Sequence, residues 1–380
     1  MDPLIATLAE EIAARAEREL EALVTVSSPS GDADGAEEAI AVCAALLPPE
    51  AGTERVPCST PSGAADLIAR IAGEGSRRLL LLGHLDTVVE HRSHAPLRRR
   101  EGRLYGPGTA DMKGGVALAL GVFRELSTRP ATFAELALLL VTDEEWRTEP
   151  FAHVQRFAGY DACLCFEAGE RTPDGREGVV VRRKAAATLR ISAAGKAAHS
   201  GSAPDQGRNA LLGLAEAALA IAAHHDPRGS AGLSVVPTVV RSGDAFNVVP
   251  AGGELVFDMR SDRLEALEAV HAVVPAELRG VKLRAAMERR WPAMDSEAAT
   301  RELVGRAGAR LGRQLVGVAR GGASDASHFA SAIPLTVDGL GPRGGGAHTP
   351  EEFVLAASLR ERAEVGLAVA LEALHVPSRT

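Results

Sequence analysis

The chain has 380 residues, of which 46% are apolar and 24% charged, and its formal net charge is −8. That length suits two domains better than one core, and the acidic balance argues against a nucleic-acid partner. No apolar run reaches the length of a transmembrane helix, and the acidic, amphipathic stretch MDPLIATLAEEIAARAEREL is not typical of a signal peptide. Because the four cysteines are too few for a disulfide framework, we expect a cytoplasmic protein without a membrane partner.

Helices and strands alternate along the first part of the chain. Apolar periodicity predicts helices over 3–25, 34–46 and 112–127, and strands over 78–83, 134–142 and 161–166. The first of these strands contains four consecutive leucines, which is typical of a strand buried on both faces. Strands that alternate with helices favour an α/β sheet covered by helices on both sides.

The pattern changes from about residue 179. A long strand begins there, followed by a helix over 207–225, strands over 233–243 and 253–262, a helix over 263–274 and a strand over 281–288. The order β-α-β-β-α-β predicts a ferredoxin-like sandwich, after which the alternation of helices and strands resumes. We therefore expect a first domain made of 1–178 and 291–380, with a second domain, 179–290, inserted into it.

Acidic and histidine side chains stand where the predicted strands end. His84 and Asp86 follow the first strand, Glu144 and Glu145 the second and Glu167 the third, while Asp111 and His348 lie in glycine-rich loops. Ligands of open α/β sheets bind beyond the carboxyl ends of the strands, so we expect these side chains to converge. Two imidazoles and several carboxylates form a mixed nitrogen and oxygen ligand set, which suits zinc or a similar divalent ion.

Each of these residues also has a simpler interpretation. A single acid at a strand end is usually solvated or caps a helix, and paired acids such as Glu144 and Glu145 are usually surface charge. Several carboxylates gathered without a cation, however, would repel one another. Two other motifs predict no site: GLGPRG at 339–344 opens no predicted helix, and GGASDA at 321–326 lacks the second glycine of a nucleophile elbow.

Seven motifs occur in a fixed order over about residues 80–350. They are GHLDTV, YGPGTADMKGG, TDEE, FEAG, AHSG, FNVVP…DMR and GGASD…GLGPRGGGAH. Together they resemble the di-zinc aminoacylase/carboxypeptidase family of metallopeptidases, which includes glutamate carboxypeptidase, acetylornithine deacetylase and succinyl-diaminopimelate desuccinylase. The last motif most resembles the glutamate carboxypeptidase branch. The resemblance implies a mixed-sheet α/β catalytic domain with an inserted ferredoxin-like βαββαβ domain that serves as lid and dimerisation domain.

The resemblance implies two zinc ions per chain, for which cobalt or manganese could substitute. One ion would be bound by His84, Asp111 and Glu167, and the other by Asp111, Glu145 and His348, so that Asp111 bridges the two. Mixed imidazole and carboxylate ligands are common at catalytic zinc sites.

Further residues near the ions are assigned by the same resemblance. Asp86 would orient the His84 ring through its second nitrogen. Glu144 would act as general base in the hydrolysis of an amide by an activated water, without a covalent intermediate. The peptide bond between Asp111 and Met112 is expected to be cis.

The inserted domain supplies the remaining candidates. The resemblance implies that His199, in AHSG, acts in the partner subunit's site and stabilises the oxyanion, which requires a homodimer formed through the lid domains. Asn247 and Arg260 would contact the substrate, and the Arg260 guanidinium suits a carboxylate because it can bind both oxygens. Arg183 and Ser324 are further substrate-binding candidates.

The chain departs from the family pattern in two places. Trp146-Arg147-Thr148 follows the acidic pair, where the family usually has an apolar residue and Gly-Ser, and Ala185 replaces a usual glycine. Both changes bear on the substrate specificity. We expect a carboxypeptidase-like enzyme that cleaves a small peptide or an N-acyl amino acid. The alternatives are a biosynthetic deacylase of the acetylornithine deacetylase type and a non-catalytic binding protein on the same scaffold.

Overall fold

A computed structural model describes residues 1–375 in two units. The first unit comprises Met1–Arg182, Met294–Arg320 and the described residues from Ser324 onward, and the second comprises Arg183–Ala293 with Gly321–Ala323. The helices are α1 Pro3–Thr25, α2 Ala33–Leu46, α3 Lys113–Ser127, α4 Ala210–Ala222, α5 Leu264–Ala272, α6 Glu297–Leu311, α7 Ala326–Phe329 and α8 Ala356–His375. The strands are β1 Gly52–Val56, β2 Asp66–Ala72, β3 Arg78–His84, β4 Arg98–Arg100, β5 Arg103–Tyr105, β6 Glu135–Val141, β7 Ala162–Cys165, β8 Glu170–Arg171, β9 Glu177–Arg183, β10 Ala185–Ala194, β11 Ser234–Ser242, β12 Gly252–Ser261, β13 Glu277–Leu278, β14 Val281–Trp291, β15 Met294–Asp295, β16 Leu315–Arg320, β17 Leu335–Val337, β18 Gly344–Gly345 and β19 Phe353–Leu355.

A six-stranded mixed sheet forms the centre of the first unit. Its order is β1-β2-β6-β3-β7-β17. The pairs β1–β2 and β2–β6 are antiparallel, whereas β6–β3, β3–β7 and β7–β17 are parallel. Two further sheets, β15-β9-β16 with β8 and β18-β19-β5-β4, complete this unit. The predicted α/β class with a mixed sheet is confirmed.

Strand β3 is buried on both faces, as its leucine run predicts. Leu79 and Leu81 belong to the hydrophobic core that includes α1, α3 and α8. Leu80 and Leu82 belong to a separate core on the other face, with Phe157 and Phe329. Because side chains alternate along a strand, this division shows that the sheet is covered on both sides.

Helix α3 begins at the edge of the central sheet where the polar side chains lie. Its first turn approaches the chain after β7 so closely that a Cβ atom on Gly115 would lie 1.7 Å from the carbonyl oxygen of Phe166. Only glycine fits at this position. The close contact fixes the loop before α3, which carries Asp111, against the residue before Glu167.

The second unit has the β-α-β-β-α-β order that the sequence predicts, with the short strand β13 added. Its sheet is antiparallel, in the order β11-β12-β10-β14-β13. Apolar side chains of β10, β12, α4 and α5 form its core, including Leu189, Phe257, Leu214 and Leu267. No helix within residues 1–375 combines the length and the apolar character needed to cross a membrane.

The single long strand predicted from residue 179 is wrong. The structure divides it at Lys184 into β9 and β10, which pair with strands of different sheets. The Lys184 ammonium donates to the carbonyl of Gly232, within the second unit. Apolar residues stand before Arg182 and resume directly after Lys184, so periodicity alone does not reveal the break.

Candidate active site and metal centre

Three parallel strands deliver the candidate site residues to one edge of the central sheet. His84 is the last residue of β3, Glu144 and Glu145 follow β6, and Glu167 follows β7. The carboxyl ends of parallel neighbours lie side by side, and His84 pairs with Val141 of β6. The expected convergence of these side chains is therefore present in the structure.

The first donor cluster consists of His84, Asp111 and Glu167. The His84 Nε2 atom lies 3.1 Å from Asp111 Oδ1 and 3.7 Å from Glu167 Oε1. One donor atom from each of the three residues lies within 4.8 Å of the other two. All three side chains belong to the first unit.

The second donor cluster shares Asp111 with the first. His348 Nε2 lies 3.2 Å from Asp111 Oδ2 and 3.2 Å from Glu145 Oε2. These three residues also place their donor atoms within 4.8 Å of one another. The two oxygens of the Asp111 carboxylate therefore face different clusters, which is the geometry of a bridging ligand.

Two observations show that these clusters fit divalent cations. The second oxygen of Glu145, Oε1, is buried and has no hydrogen-bond partner among residues 1–375. Hydrogen bonds from His348 to the Asp111 and Glu145 carboxylates raise the pKa of His348 to about 10, so the carboxylates stabilise positive charge at this point. Buried carboxylates with an unsatisfied oxygen and two imidazoles are the ligand set expected for zinc or a similar ion.

Asp86 orients the His84 ring, as the sequence predicts. The sequence does not show that the backbone carbonyl of Asp86 contributes to this contact. The His84 Nδ1–H group donates to the backbone carbonyl of Asp86 at 3.0 Å, with the Asp86 carboxylate at 3.3 Å. This hydrogen bond leaves the lone pair of Nε2 directed at the first cluster. The Asp86 carboxylate also accepts the backbone N–H groups of Glu144 and Glu145 at 3.1 and 3.0 Å, and the hydroxyl of Ser30.

Glu144 is buried beside the two clusters. Burial raises the pKa of its carboxyl well above the usual range, and the charges of Asp325, Glu167 and Glu145 act in the same direction. A carboxylate in such surroundings holds a proton readily. Its position, adjacent in sequence to Glu145 and held by the same Asp86 anchor, suits a group that transfers protons next to a metal ligand.

The loop after β6 is held by buried charged side chains. Thr142 donates through its backbone N–H and its hydroxyl to Asp66, and the Asp143 carboxylate accepts the N–H of Thr60 at 2.7 Å. The Arg147 guanidinium donates to Asp143 at 3.1 Å and to Asp325, and it has no exposed surface. The unusual Arg147 therefore anchors the loop that carries Glu144 and Glu145.

Arg147→Ala is expected to lower the free energy of unfolding by about 3–5 kcal/mol, because it leaves Asp143 and Asp325 buried without their cation. The exposed ion pair between Arg92 and Glu90 provides a control, since Arg92→Ala should cost at most about 1 kcal/mol. Urea denaturation of both variants gives the measurement. Equal effects of the two substitutions would contradict the anchoring role of Arg147.

Sequence reasoning missed Glu352. Its buried carboxylate accepts the backbone N–H groups of Gly108, Ala110 and Asp111 at 3.0, 2.7 and 2.9 Å. Burial raises the pKa of this carboxyl to about 7. The only signal was its place four residues after His348, in HTPEE. The loop that it holds contains the expected cis peptide bond between Asp111 and Met112.

The second unit holds four of the remaining candidates. His199 and Asn247 are exposed and lie on neighbouring segments, because His199 pairs with Val248 and the Ser200 N–H donates to the Asn247 carbonyl at 3.0 Å. Arg260 is partly buried, and its guanidinium donates to Asp258 at 3.0–3.2 Å. Arg183 is buried, and its Nη1 donates to the carbonyl of Gly322 at 2.9 Å.

Ser324 is not placed to contact a substrate. The residue has no exposed surface, and its hydroxyl donates to Asp338 at 2.6 Å. A substrate contact would require an accessible hydroxyl, so this geometry argues against the predicted role and indicates a structural one.

Comparisons with known proteins place the chain in a family. The model of Peptidase family M20/M25/M40 matches residues 80–372. Carboxypeptidase G2 of Pseudomonas sp. (strain RS-16) is 29% identical over 362 residues, which are 88% of this chain and 83% of that protein. A succinyl-diaminopimelate desuccinylase of Rhodospirillum centenum is 32% identical over 337 residues, 82% of this chain and 83% of the relative. An aminopeptidase structure from Bacillus cereus has the same fold, with a TM-score of 0.77 at 22% identity over 95% of this chain and 98% of that chain. The chain therefore belongs to peptidase family M20/M25/M40, a family of metal-dependent hydrolases.

Proposed function

We propose that the protein is a di-zinc amidohydrolase that cleaves a small peptide or an N-acyl amino acid with a free carboxylate, in the manner of a carboxypeptidase. The observation that carries this proposal is the pair of donor clusters that share Asp111. Two adjacent divalent ions would, when bound, polarise the scissile carbonyl and lower the pKa of an attacking water.

Side chains of this protein carry out proton transfer, positioning and substrate binding. Glu144 removes a proton from the attacking water and passes it to the leaving amine. Asp86 keeps the His84 ring and the backbone of Glu144 in place through the hydrogen bonds described above. His199 donates a hydrogen bond to the oxyanion, and Arg260, held by Asp258, binds the carboxylate of the substrate together with Asn247. Arg183 donates a hydrogen bond to the Gly322 carbonyl and thereby helps to keep the substrate-binding site in place.

A biosynthetic deacylase is the second candidate. It is favoured by the succinyl-diaminopimelate desuccinylase relative, which, like carboxypeptidase G2, is aligned over 83% of its own length. Both candidates use the same amide chemistry and differ in the acyl group. A non-catalytic binding protein is disfavoured because all five donor residues and Glu144 are present and close together.

We further propose that the protein forms a homodimer through the second unit. Helix α4 exposes Leu211, Leu212 and Leu219, of which Leu219 is 77% exposed. The edge strand β11 exposes Val236 and Val240. Apolar side chains on a helix and on an unpaired sheet edge favour association with a second copy. Cytoplasmic localisation remains a prediction.

Metal analysis of the purified protein should find about two divalent ions per chain, with zinc the expected metal. Asp111→Asn should lower occupancy of both sites, because Asp111 faces both clusters, whereas Glu167→Gln should lower occupancy of one. Hydrolysis of a panel of dipeptides and N-acyl amino acids should disappear with a chelator and return with zinc. One ion per chain with full activity would contradict the bridged centre.

A further inference from the structure

The glycine-rich motif GLGPRG, residues 339–344, begins just after the edge strand β17 and leads into the β18–β19 hairpin that carries His348. Its first four residues, 339–342, form a loop that contacts the buried Arg362 of α8. We propose that Arg362 is a positioning residue for the metal donor Glu167, and that it acts by holding this loop against the Glu167 backbone. The inference deepens the proposed metal centre and rests on it.

The Arg362 guanidinium has no exposed surface, and each of its three nitrogen atoms donates a hydrogen bond. Nε donates to the carbonyl of Gly341 at 3.2 Å, and Nη2 donates to the carbonyl of Gly339. Nη1 donates to the Glu177 carboxylate at 2.9 Å and to the carbonyl of Gly178 at 3.1 Å. One side chain therefore joins the loop to strand β9 of a different sheet.

The same loop is hydrogen-bonded to the segment that carries Glu167. The Gly341 N–H donates to the Glu167 carbonyl at 2.8 Å, and the Gly169 N–H donates to the Pro342 carbonyl at 3.0 Å. A Cβ atom on Gly341 would lie 2.3 Å from the Phe166 carbonyl oxygen and 2.7 Å from the Glu167 carbonyl oxygen. Only glycine allows so close an approach. The position of the loop therefore determines where the Glu167 backbone lies.

The loop cannot hold this position by its own packing, because Gly339 and Gly341 have no side chains. A buried guanidinium is weak evidence for a role in stability, since buried ion pairs can often be replaced by apolar groups without loss. The guanidinium does supply a rigid, planar set of donors that fixes the directions of several acceptors at once. We infer that it sets the direction from which Glu167 reaches the first donor cluster, 3.7 Å from His84.

The second donor cluster is separated from the loop by further contacts. The backbone N–H of Arg343 donates to the Ser358 hydroxyl at 2.9 Å. Strand β18 then pairs with β19 before the chain reaches His348. These contacts fix the chain again between the loop and His348. A displacement of the loop should therefore affect the first cluster and leave the second unchanged.

Competition between the zinc-loaded protein and a chelator of known affinity tests the inference without turnover. The Glu145→Gln background keeps all donors of the first cluster, and there Arg362→Lys should weaken zinc binding ~10–100-fold, the usual loss when a partner of a metal ligand is changed. Lysine keeps the charge beside Glu177 but lacks the planar set of donors. The Glu167→Gln background keeps all donors of the second cluster, and there the same substitution should change the zinc Kd by no more than about twofold.

Arg124→Lys is the matched control. The Arg124 guanidinium also donates to a carboxylate, that of Glu19, and to a carbonyl, that of Leu46, and it lies at the far end of α3 from Asp111. It should lower the Tm and leave zinc binding unchanged. Gly341→Ala keeps Arg362 but displaces the loop, so it should weaken zinc binding at the first cluster and gives the measurement should Arg362→Lys not fold.

Weaker zinc binding confined to the Glu145→Gln background would support the role of Arg362. Unchanged binding in that background, or equal losses in both backgrounds, would overturn it. An equal loss with Arg124→Lys would also overturn it, because general destabilisation would then explain the result. A wild-type chain that binds no zinc would instead contradict the metal centre on which the inference rests.

Discussion

Glu144→Gln is expected to retain both metal ions and to lose ~10²–10⁴-fold in kcat, the usual contribution of a positioned general base. The substitution keeps the size of the side chain, and the backbone N–H of residue 144 can still donate to Asp86. Glutamine has no lone pair that accepts a proton at neutral pH, so proton transfer from the attacking water stops. Metal content by elemental analysis and steady-state kinetics on the same sample give the two measurements.

Glu145→Gln is the matched control, because it changes the same chemical group one residue further along the same loop. The Glu145 carboxylate contacts His348 at the second cluster, so its loss should release metal before it affects proton transfer. Added zinc should then restore much of the activity of Glu145→Gln and none of the activity of Glu144→Gln. Near-normal turnover by Glu144→Gln would show that another group acts as the base.

His199→Ala should lower kcat by ~10²–10³-fold, the typical cost of one oxyanion donor, and leave metal content unchanged. The Nδ1 atom of His199 accepts the N–H groups of Gly201 and Ser202 at 3.1 and 3.2 Å. Because Nδ1 accepts these hydrogen bonds, the proton of the neutral ring is on Nε2. The Nε2–H group is then available as a donor on an exposed loop. Asn247→Ala, on the adjacent segment, should mainly raise KM because it removes a substrate contact without removing the oxyanion donor.

A mixed dimer decides which chain supplies His199. All the metal donors lie in the first unit and His199 lies in the second, so the histidine can serve its own chain or its partner. If it serves the partner, a heterodimer of His199→Ala and Glu144→Gln chains carries one site with both lesions and one site with neither. Mixing two inactive proteins should then recover activity, up to half that of the wild-type dimer. A heterodimer that forms, as shown by differently tagged chains, and stays inactive would assign His199 to its own chain.

The sequence predicted those parts of the structure that depend on local patterns. The leucines of β3 indicate a strand buried on both faces, and the residues after β3, β6 and β7 converge because parallel strands end at one edge. The resemblance then named the residues that form the two clusters. Their roles as ligands and as base remain predictions for the experiments above.

Contacts between distant segments could not be predicted from such patterns. Glu352 lies 241 residues from Asp111, and Asp325 lies 178 residues from Arg147, so no periodicity connects either pair. The surroundings of Ser324 could not be predicted either, since a motif position does not show whether a hydroxyl faces solvent or Asp338. The chain breaks at Lys184 because β9 and β10 join different sheets. Pairing with strands from distant parts of the chain, and not the local sequence, determines which sheet each strand joins.

The contact between Glu352 and the loop before α3 has a consequence for synthesis. A ribosome adds ~5–20 residues per second, so roughly 10–50 s pass between the emergence of Asp111 and that of Glu352. During this time Gly108, Ala110 and Asp111 have no carboxylate to receive their backbone N–H groups, and His348 has not yet been made. The nascent chain therefore presents the second cluster as Asp111 and Glu145 alone, without His348. A divalent ion at the second cluster would therefore find its third donor only after residue 348 has been translated.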